Sequence, residues 1–205
     1  MNYIFDLFGT LIECDNKEYY SLICSCFGIS YQDYKERLRG FLDTRRFQSP
    51  KQALKEILDF LNVNMTLDKQ EKFFYDLKKW GGKALLKDET LNLLKEMKKM
   101  SHKTAVVSNA NTLVEEIIER SGVNSLVDTC VFSYRVGYMK PQKEIYELAK
   151  KFFNASYEEI TMVGDSLVED VLAPASIGMD SILLDPKNNH PEYRGRKIKS
   201  LRELI

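Results

Sequence analysis

Tyr3-Ile4-Phe5-Asp6-Leu7-Phe8-Gly9-Thr10-Leu11 sets an apolar run against one carboxylate, with a glycine turn close behind. A short apolar run bounded by turn residues reads as a strand near 3–7. Ligands of open parallel sheets sit beyond the carboxyl ends of the strands, so Asp6 falls where a nucleophile is needed. An Asp that merely caps the next turn is the plain alternative for this segment on its own.

Three later segments bear on the choice between these readings. Thr104-Ala105-Val106-Val107-Ser108-Asn109 is an apolar run ending in small polar residues, with a helical stretch opening near Asn111. A hydroxyl and backbone N–H groups at such a junction suit an oxyanion, although Ser and Asn also serve as ordinary N-caps. Gly137-Tyr138-Met139-Lys140-Pro141 leaves Lys140 on a loop fixed by the proline, which blocks helix before it and can start one after. Ile160-Thr161-Met162-Val163-Gly164-Asp165 runs into a carboxylate, and Asp170 follows five positions on. At a strand-to-helix turn that spacing can aim both acids into one crevice.

In this order Asp6, Ser108, Lys140, Asp165 and Asp170 resemble the four motifs of the haloacid dehalogenase superfamily of aspartate-nucleophile hydrolases. The likeness covers residues 3–11 and about 103–184. It implies a Rossmann-like doubly wound parallel α/β sheet, a phosphoaspartyl intermediate and a Mg²⁺ cofactor. The chemistry agrees: a carboxylate attacking a phosphate monoester approaches an anion, and a hard divalent cation with oxygen ligands offsets that repulsion. By the resemblance, Asp6 is the nucleophile and a metal ligand, Asp165 is a second carboxylate ligand, and the backbone carbonyl of Phe8 is a third. Asp170 is expected to act through a metal-bound water. Lys140 would neutralise phosphoryl oxygens, with Ser108 and the N–H of Asn109 donating to them. Thr10, on the substrate side of the motif, is expected to pack and hydrogen-bond behind Asp6.

One departure stands against this agreement. Phosphatases of the family usually carry a second Asp two residues after the nucleophile as general acid and base, and here that position is Phe8. A phenyl ring neither protonates a leaving group nor activates water. An aromatic residue there resembles the haloacid dehalogenases themselves, which use no metal. Those enzymes lack the Gly-Asp-x-x-x-x-Asp arrangement of 164–170, and without a cation Asp165 and Asp170 would repel a haloacid carboxylate. The expected activity is therefore a magnesium-dependent phosphatase acting on a small phosphate monoester. A metal-independent 2-haloacid dehalogenase and a low-turnover binder of a phosphorylated ligand remain as alternatives. Glu13 and Asp15 are the nearest carboxylates that could replace the missing acid–base.

Spacing divides the chain. Ser108 to Lys140 and Lys140 to Asp165 each approximate one βα step, whereas Asp6 to Ser108 leaves about 70 residues beyond one crossover. That surplus is helical. Ser49-Pro50 reads as N-cap and N1 of a helix carrying Ala53, Leu54, Ile57, Leu58 and Leu61 on one stripe, and Phe73, Phe74, Leu77 and Trp80 repeat the pattern. Earlier helices are expected near 17–27 and 31–43. Residues 14–84 thus read as an inserted helical cap and 1–13 with 85–205 as the catalytic core, Gly81-Gly82 reading equally as a return hinge or as a plain helix C-cap. Core helices are expected near 88–100, 111–121, 142–153, 168–177 and 200–205, and further strands near 103–108, 129–132, 160–164 and 181–184. The cap's Tyr19, Tyr20, Tyr31, Tyr34, Phe41 and Phe47 and its Arg37, Arg39, Arg45 and Arg46 are where a substrate would be chosen, although such residues more often pack or stay solvated.

Composition narrows the partners. Thirty basic and 30 acidic residues cancel, leaving no electrostatic footprint for nucleic acid. The longest apolar runs are too short to span a membrane, and Asp6 interrupts the one nearest the N-terminus, so neither membrane nor secretory signal is expected and a cytoplasmic setting is. Cys14, Cys24, Cys26 and Cys130 then read as reduced thiols. On a helix Cys24 and Cys26 point about 200° apart with no histidine nearby in sequence, which argues against a zinc site.

Overall fold

A computed structural model describes residues 1–205. Six strands form one parallel sheet: β1 (Asn2–Phe5), β4 (Lys103–Ser108), β5 (Thr129–Phe132), β6 (Ile160–Gly164), β7 (Asp180–Leu184) and β8 (Lys197–Ile198). Two short strands, β2 (Ile12–Glu13) and β3 (Leu85–Leu86), pair antiparallel apart from it. The sheet order is β5-β4-β1-β6-β7-β8. The chain therefore builds outward from β1 to one side, returns, and builds outward to the other. That reversal leaves a crevice at the carboxyl end of β1, between β4 and β6.

Register sets what meets there. Phe5 pairs with Val106 on one side and Val163 on the other. Asp6, Ser108 and Asp165 thus leave their strands at nearly the same level. The alternation of side chains along β1 sends Ile4 to one face and Tyr3 and Phe5 to the other. Ile4 packs with Ile145, Tyr146, Ala149 and Phe153 of helix Lys143–Phe153. Tyr3 and Phe5 join a larger apolar cluster that also holds Leu93, Leu94 and Met97 of helix Asp88–Lys99. Covered on both faces, the strands can be as apolar as their sequences are.

The insert lies between β2 and β3, so both crossings between insert and sheet run through one antiparallel pair. Helix Asn16–Phe27 starts on Asp15, whose carboxylate accepts from the N–H groups of Lys17 and Glu18 at 2.9 and 3.0 Å. Tyr31–Asp33 and Arg39–Asp43 are joined by a π-helical stretch, Tyr34–Leu38, into one continuous rod. Helices Pro50–Leu61 and Leu67–Lys83 follow, the first with Ser49 as N-cap and Pro50 in its opening turn. Ile23, Leu54, Ile57, Phe73, Leu77 and Trp80 bury their side chains in the same apolar cluster as Phe5 and Phe132. Insert and sheet thus share one apolar cluster.

Several expectations are corrected. The first strand ends at Phe5, two residues earlier than expected, so Asp6 and Leu7 lie just past it. Gly81 and Gly82 are not a hinge: they sit inside helix Leu67–Lys83, and the chain returns through β3. The stretch expected as one helix over 168–177 is a π-helical segment, Leu167–Leu172, followed by a short helix, Ala173–Ser176. β2, β3, β8 and helix Ser133–Val136 are too short to leave a periodic signal. No helix is long and apolar enough to cross a membrane.

Candidate active site

Lys140 is the hub of the crevice. Its side chain is 1% exposed, and Nζ donates to Asp6 Oδ1 at 2.7 Å and to Asp170 Oδ1 at 2.6 Å. Burial opposes its charge, but the Asp170 and Asp6 carboxylates outweigh burial and hold the ammonium above its ordinary range. The loop carrying Lys140 is clamped by Asn109, whose Oδ1 accepts from the Lys140 N–H at 2.7 Å while Nδ2 donates to the Lys140 carbonyl at 2.9 Å.

Asp165 completes the group. Carboxylate oxygens of Asp6, Asp165 and Asp170 lie within 4.8 Å of one another. Burial, then the neighbouring Asp6 and Asp170 charges, raise the Asp165 carboxyl well above the usual carboxylate range. Burial raises Asp170 likewise, against the pull of Lys140. Two glycines permit the approach. At Gly9, where φ is +94°, a Cβ would collide with the Asp165 carboxylate, and at Gly164 a Cβ would collide with that of Asp170.

The donor set suits a hard divalent cation. Three carboxylates against one ammonium leave two net negative charges when all are ionised, and every donor is oxygen. Asp170 has the least freedom to reach a metal, since its second oxygen accepts from the Ser166 N–H at 3.0 Å. The Phe8 carbonyl accepts from Asn16 Nδ2 at 3.3 Å, and its ring leans on Trp80 with centroids 6.4 Å apart. Ser108, 1% exposed, lines the crevice with a buried hydroxyl that has no partner in the protein. A buried hydroxyl without a partner is costly unless a ligand completes it.

Other expected residues fall elsewhere. Thr10 is buried outside the lining of the crevice, and its hydroxyl has no partner, so the expected hydrogen bond behind Asp6 is absent. Asp15 is committed as a helix cap, and Glu13 faces outward, 69% exposed and 3.5 Å from Lys87 Nζ. Neither lines the cavity. All four cysteines are unpaired, and Cys14, close to Asp6 and Asp165, has its thiol pushed up to about 12, chiefly by burial.

A cavity of about 1070 Å³ opens from the carboxylates toward the insert. Arg39, Asp43, Tyr20 and Tyr34 line it from the insert and Glu169 and Asn111 from the sheet side. Arg39 Nη2 meets Glu169 Oε1 at 2.7 Å, and Asn111 Nδ2 donates to Asp43 Oδ1 at 2.9 Å. Sequence reasoning did not single out Glu169, Asp43 or Asn111. Glu169 was hidden beside Asp170, and a pairing across 130 residues of chain carries no local signal.

Comparison with known proteins identifies the family. A haloacid dehalogenase-like hydrolase family model matches residues 2–178. A glyceraldehyde 3-phosphate phosphatase of Methanothermobacter thermautotrophicus is 28% identical over 121 residues, 56% of this chain and 54% of that protein. The chain's matches span about half the length of its curated relatives. Among solved structures, a magnesium and inorganic phosphate complex of a HAD family enzyme from Bacteroides thetaiotaomicron is similar with a TM-score of 0.65 at 16% identity, over 93% of this chain and 97% of that one. An L-2-haloacid dehalogenase is as close, with a TM-score of 0.67 at 16% identity over 99% and 96%. Likeness at this identity speaks to the fold alone, so the site must decide the chemistry. With its motifs at the strand ends of such a sheet, the chain belongs to the haloacid dehalogenase-like hydrolases.

Proposed function

We propose that the protein is a magnesium-dependent phosphatase that hydrolyses a small phosphate monoester through a phosphoaspartate on Asp6, with residues 14–84 as a cap over the site. The cluster of Asp6, Asp165 and Asp170 around Lys140, all oxygen donors and doubly negative once every group is ionised, carries the reading. Such a site repels a free haloacid carboxylate and suits a phosphate accompanied by a divalent cation. Asp6, Asp165 and the Phe8 carbonyl would hold Mg²⁺, which supplies the positive charge that offsets carboxylate–phosphate repulsion. Asp170 orients Lys140 and the Ser166 turn. Asp6 forms a bond to phosphorus as the ester P–O bond breaks, and the leaving alkoxide takes its proton from water and departs as the alcohol. Lys140 and the unpartnered Ser108 hydroxyl bind the phosphoryl oxygens, and Asn109 keeps Lys140 in register. Water then attacks phosphorus, breaks the bond to Asp6 and releases phosphate. With Phe8 in place of a carboxylate, neither step has a positioned acid or base at that point.

Released phosphate and released halide, each assayed with Mg²⁺ and with chelator, test this directly. Phosphate released from an aryl phosphate only with Mg²⁺, and no halide from 2-haloacids, is the expected result. Chelator-resistant halide release would establish the dehalogenase instead.

Metal binding should also register as stability. The folded-state values of Asp165 and Asp170 are raised, so between the ordinary carboxylate range and those higher values the folded chain holds more protons than the unfolded one. Without metal, this cluster's contribution is therefore full in acid and lost as pH rises through neutrality. Mg²⁺ removes the repulsion, so the rise in melting temperature on adding it should grow from pH 5 to pH 8. Asp165→Asn should shrink both the rise and its pH dependence. An unchanged Mg²⁺ effect in that variant would remove Asp165 from the metal site.

A further inference from the structure

The wall of the cavity facing Asp6 has one inner cation, and it is already occupied. Arg39 is paired to Glu169 at 2.7 Å and lies 3.5 Å from Asp43. The remaining carboxylate oxygens are used as well: Glu169 Oε2 accepts from Asn109 Nδ2 at 3.1 Å, and Asp43 Oδ1 from Asn111. Two carboxylates thus surround one guanidinium, with Asp43 4% exposed. A second phosphate or a carboxylate on the substrate would find Arg39 already balanced by two carboxylates, with Nη1 alone left to donate. It would stand as a third negative charge around a single guanidinium, which disfavours it. Lys17 and Lys35 are too exposed to compensate, being solvated and screened at the mouth.

The same wall offers neutral groups. Tyr34 is 2% exposed and lines the cavity, and burial followed by the nearby Asp43 charge keeps its phenol protonated. Tyr20 lies beside it, ring centroids 5.3 Å apart, and its phenol is likewise raised by burial. The Tyr19 hydroxyl, by contrast, is already engaged with Asn111. Neutral phenols both donate and accept, which suits alcohol hydroxyls.

We infer that the Arg39–Glu169–Asp43 cluster restricts this site to phosphate monoesters of uncharged, hydroxyl-bearing alcohols and rejects esters carrying a second anionic group. The inference rests on the phosphatase reading and names its substrate class.

Matched esters test it: glycerol 3-phosphate against 3-phosphoglycerate, and fructose 6-phosphate against fructose 1,6-bisphosphate. In Mg²⁺ the uncharged member of each pair should have the higher kcat/KM by at least about 10-fold, the equivalent of about 1.4 kcal/mol. Glu169→Gln, which leaves Arg39 with Asp43 as its one charged partner, should narrow that ratio or invert it. Wild-type kcat/KM equal for both members, or higher for the charged one, overturns the inference, whether or not the variant folds. An unchanged ratio in a folded Glu169→Gln protein overturns the role given to the cluster. Equilibrium binding of the same esters to Asp6→Asn protein in Mg²⁺ separates this from the phosphatase reading. Preferential binding of the uncharged esters with no wild-type turnover would sink the phosphatase and leave the selectivity standing. Binding of neither ester, or of both equally, overturns the selectivity.

Discussion

Asp6→Asn is expected to lower steady-state phosphate release by a factor on the order of 10⁴ or more, because a carboxamide cannot form the covalent intermediate. The fold should survive the change. Lys140 keeps its 2.6 Å contact with Asp170, and an amide oxygen can still accept from Nζ. The substitution also removes one of three crowded carboxylates, so the metal-free melting temperature should hold or rise. Beryllium fluoride, a phosphoryl mimic, should stabilise the wild-type protein only in the presence of Mg²⁺ and should leave the variant unaffected. Turnover and fluoride response that both persist in Asp6→Asn would place the nucleophile elsewhere.

Phe8→Asp is expected to raise turnover by about 10²-fold, the lower end of what a positioned acid–base contributes. The ring now lines the cavity and leans on Trp80, and the two carboxylates that follow it in sequence are unavailable. Asp15 caps its helix, and Glu13 faces outward. Hydrolysis of the phosphoaspartate should therefore limit the wild-type rate, and an activated aryl phosphate should give a burst approaching one equivalent per site. The variant should lose that burst as its steady rate climbs. Losing the ring's packing will cost stability, so the burst amplitude must be used to count competent sites. Fast wild-type turnover without a burst, beside a folded but inactive Phe8→Asp, would show that proton transfer does not depend on position 8.

What the sequence made legible follows from how local each signal is. β1, β4 and β6 are buried on both faces and announce themselves as apolar runs, and the residues at their ends, Asp6, Ser108 and Asp165, come together because parallel register brings them to one level. Ser49-Pro50 marked a helix start because capping is a two-residue signal. Gly81-Gly82 misled because glycine is readable as a break, whereas here tertiary packing carries the helix through to Lys83. Asp15 was readable as a candidate acid only because its capping bonds depend on where the next helix starts. The Arg39–Glu169 pair and the Asn109 clamp on Lys140 were out of reach, since both join segments that only the fold brings together.

The covalent intermediate is the claim on which the rest depends, and mass analysis of the acid-quenched protein tests it most directly. Mixed with an aryl phosphate and Mg²⁺ and quenched during the burst, the wild-type chain should carry one phosphoryl group on the peptide containing Asp6, sensitive to hydroxylamine as an acyl phosphate is. The adduct should be absent with chelator and absent in Asp6→Asn. Phosphate released at a substantial rate with no adduct at Asp6, or with the adduct on another residue, would contradict the mechanism.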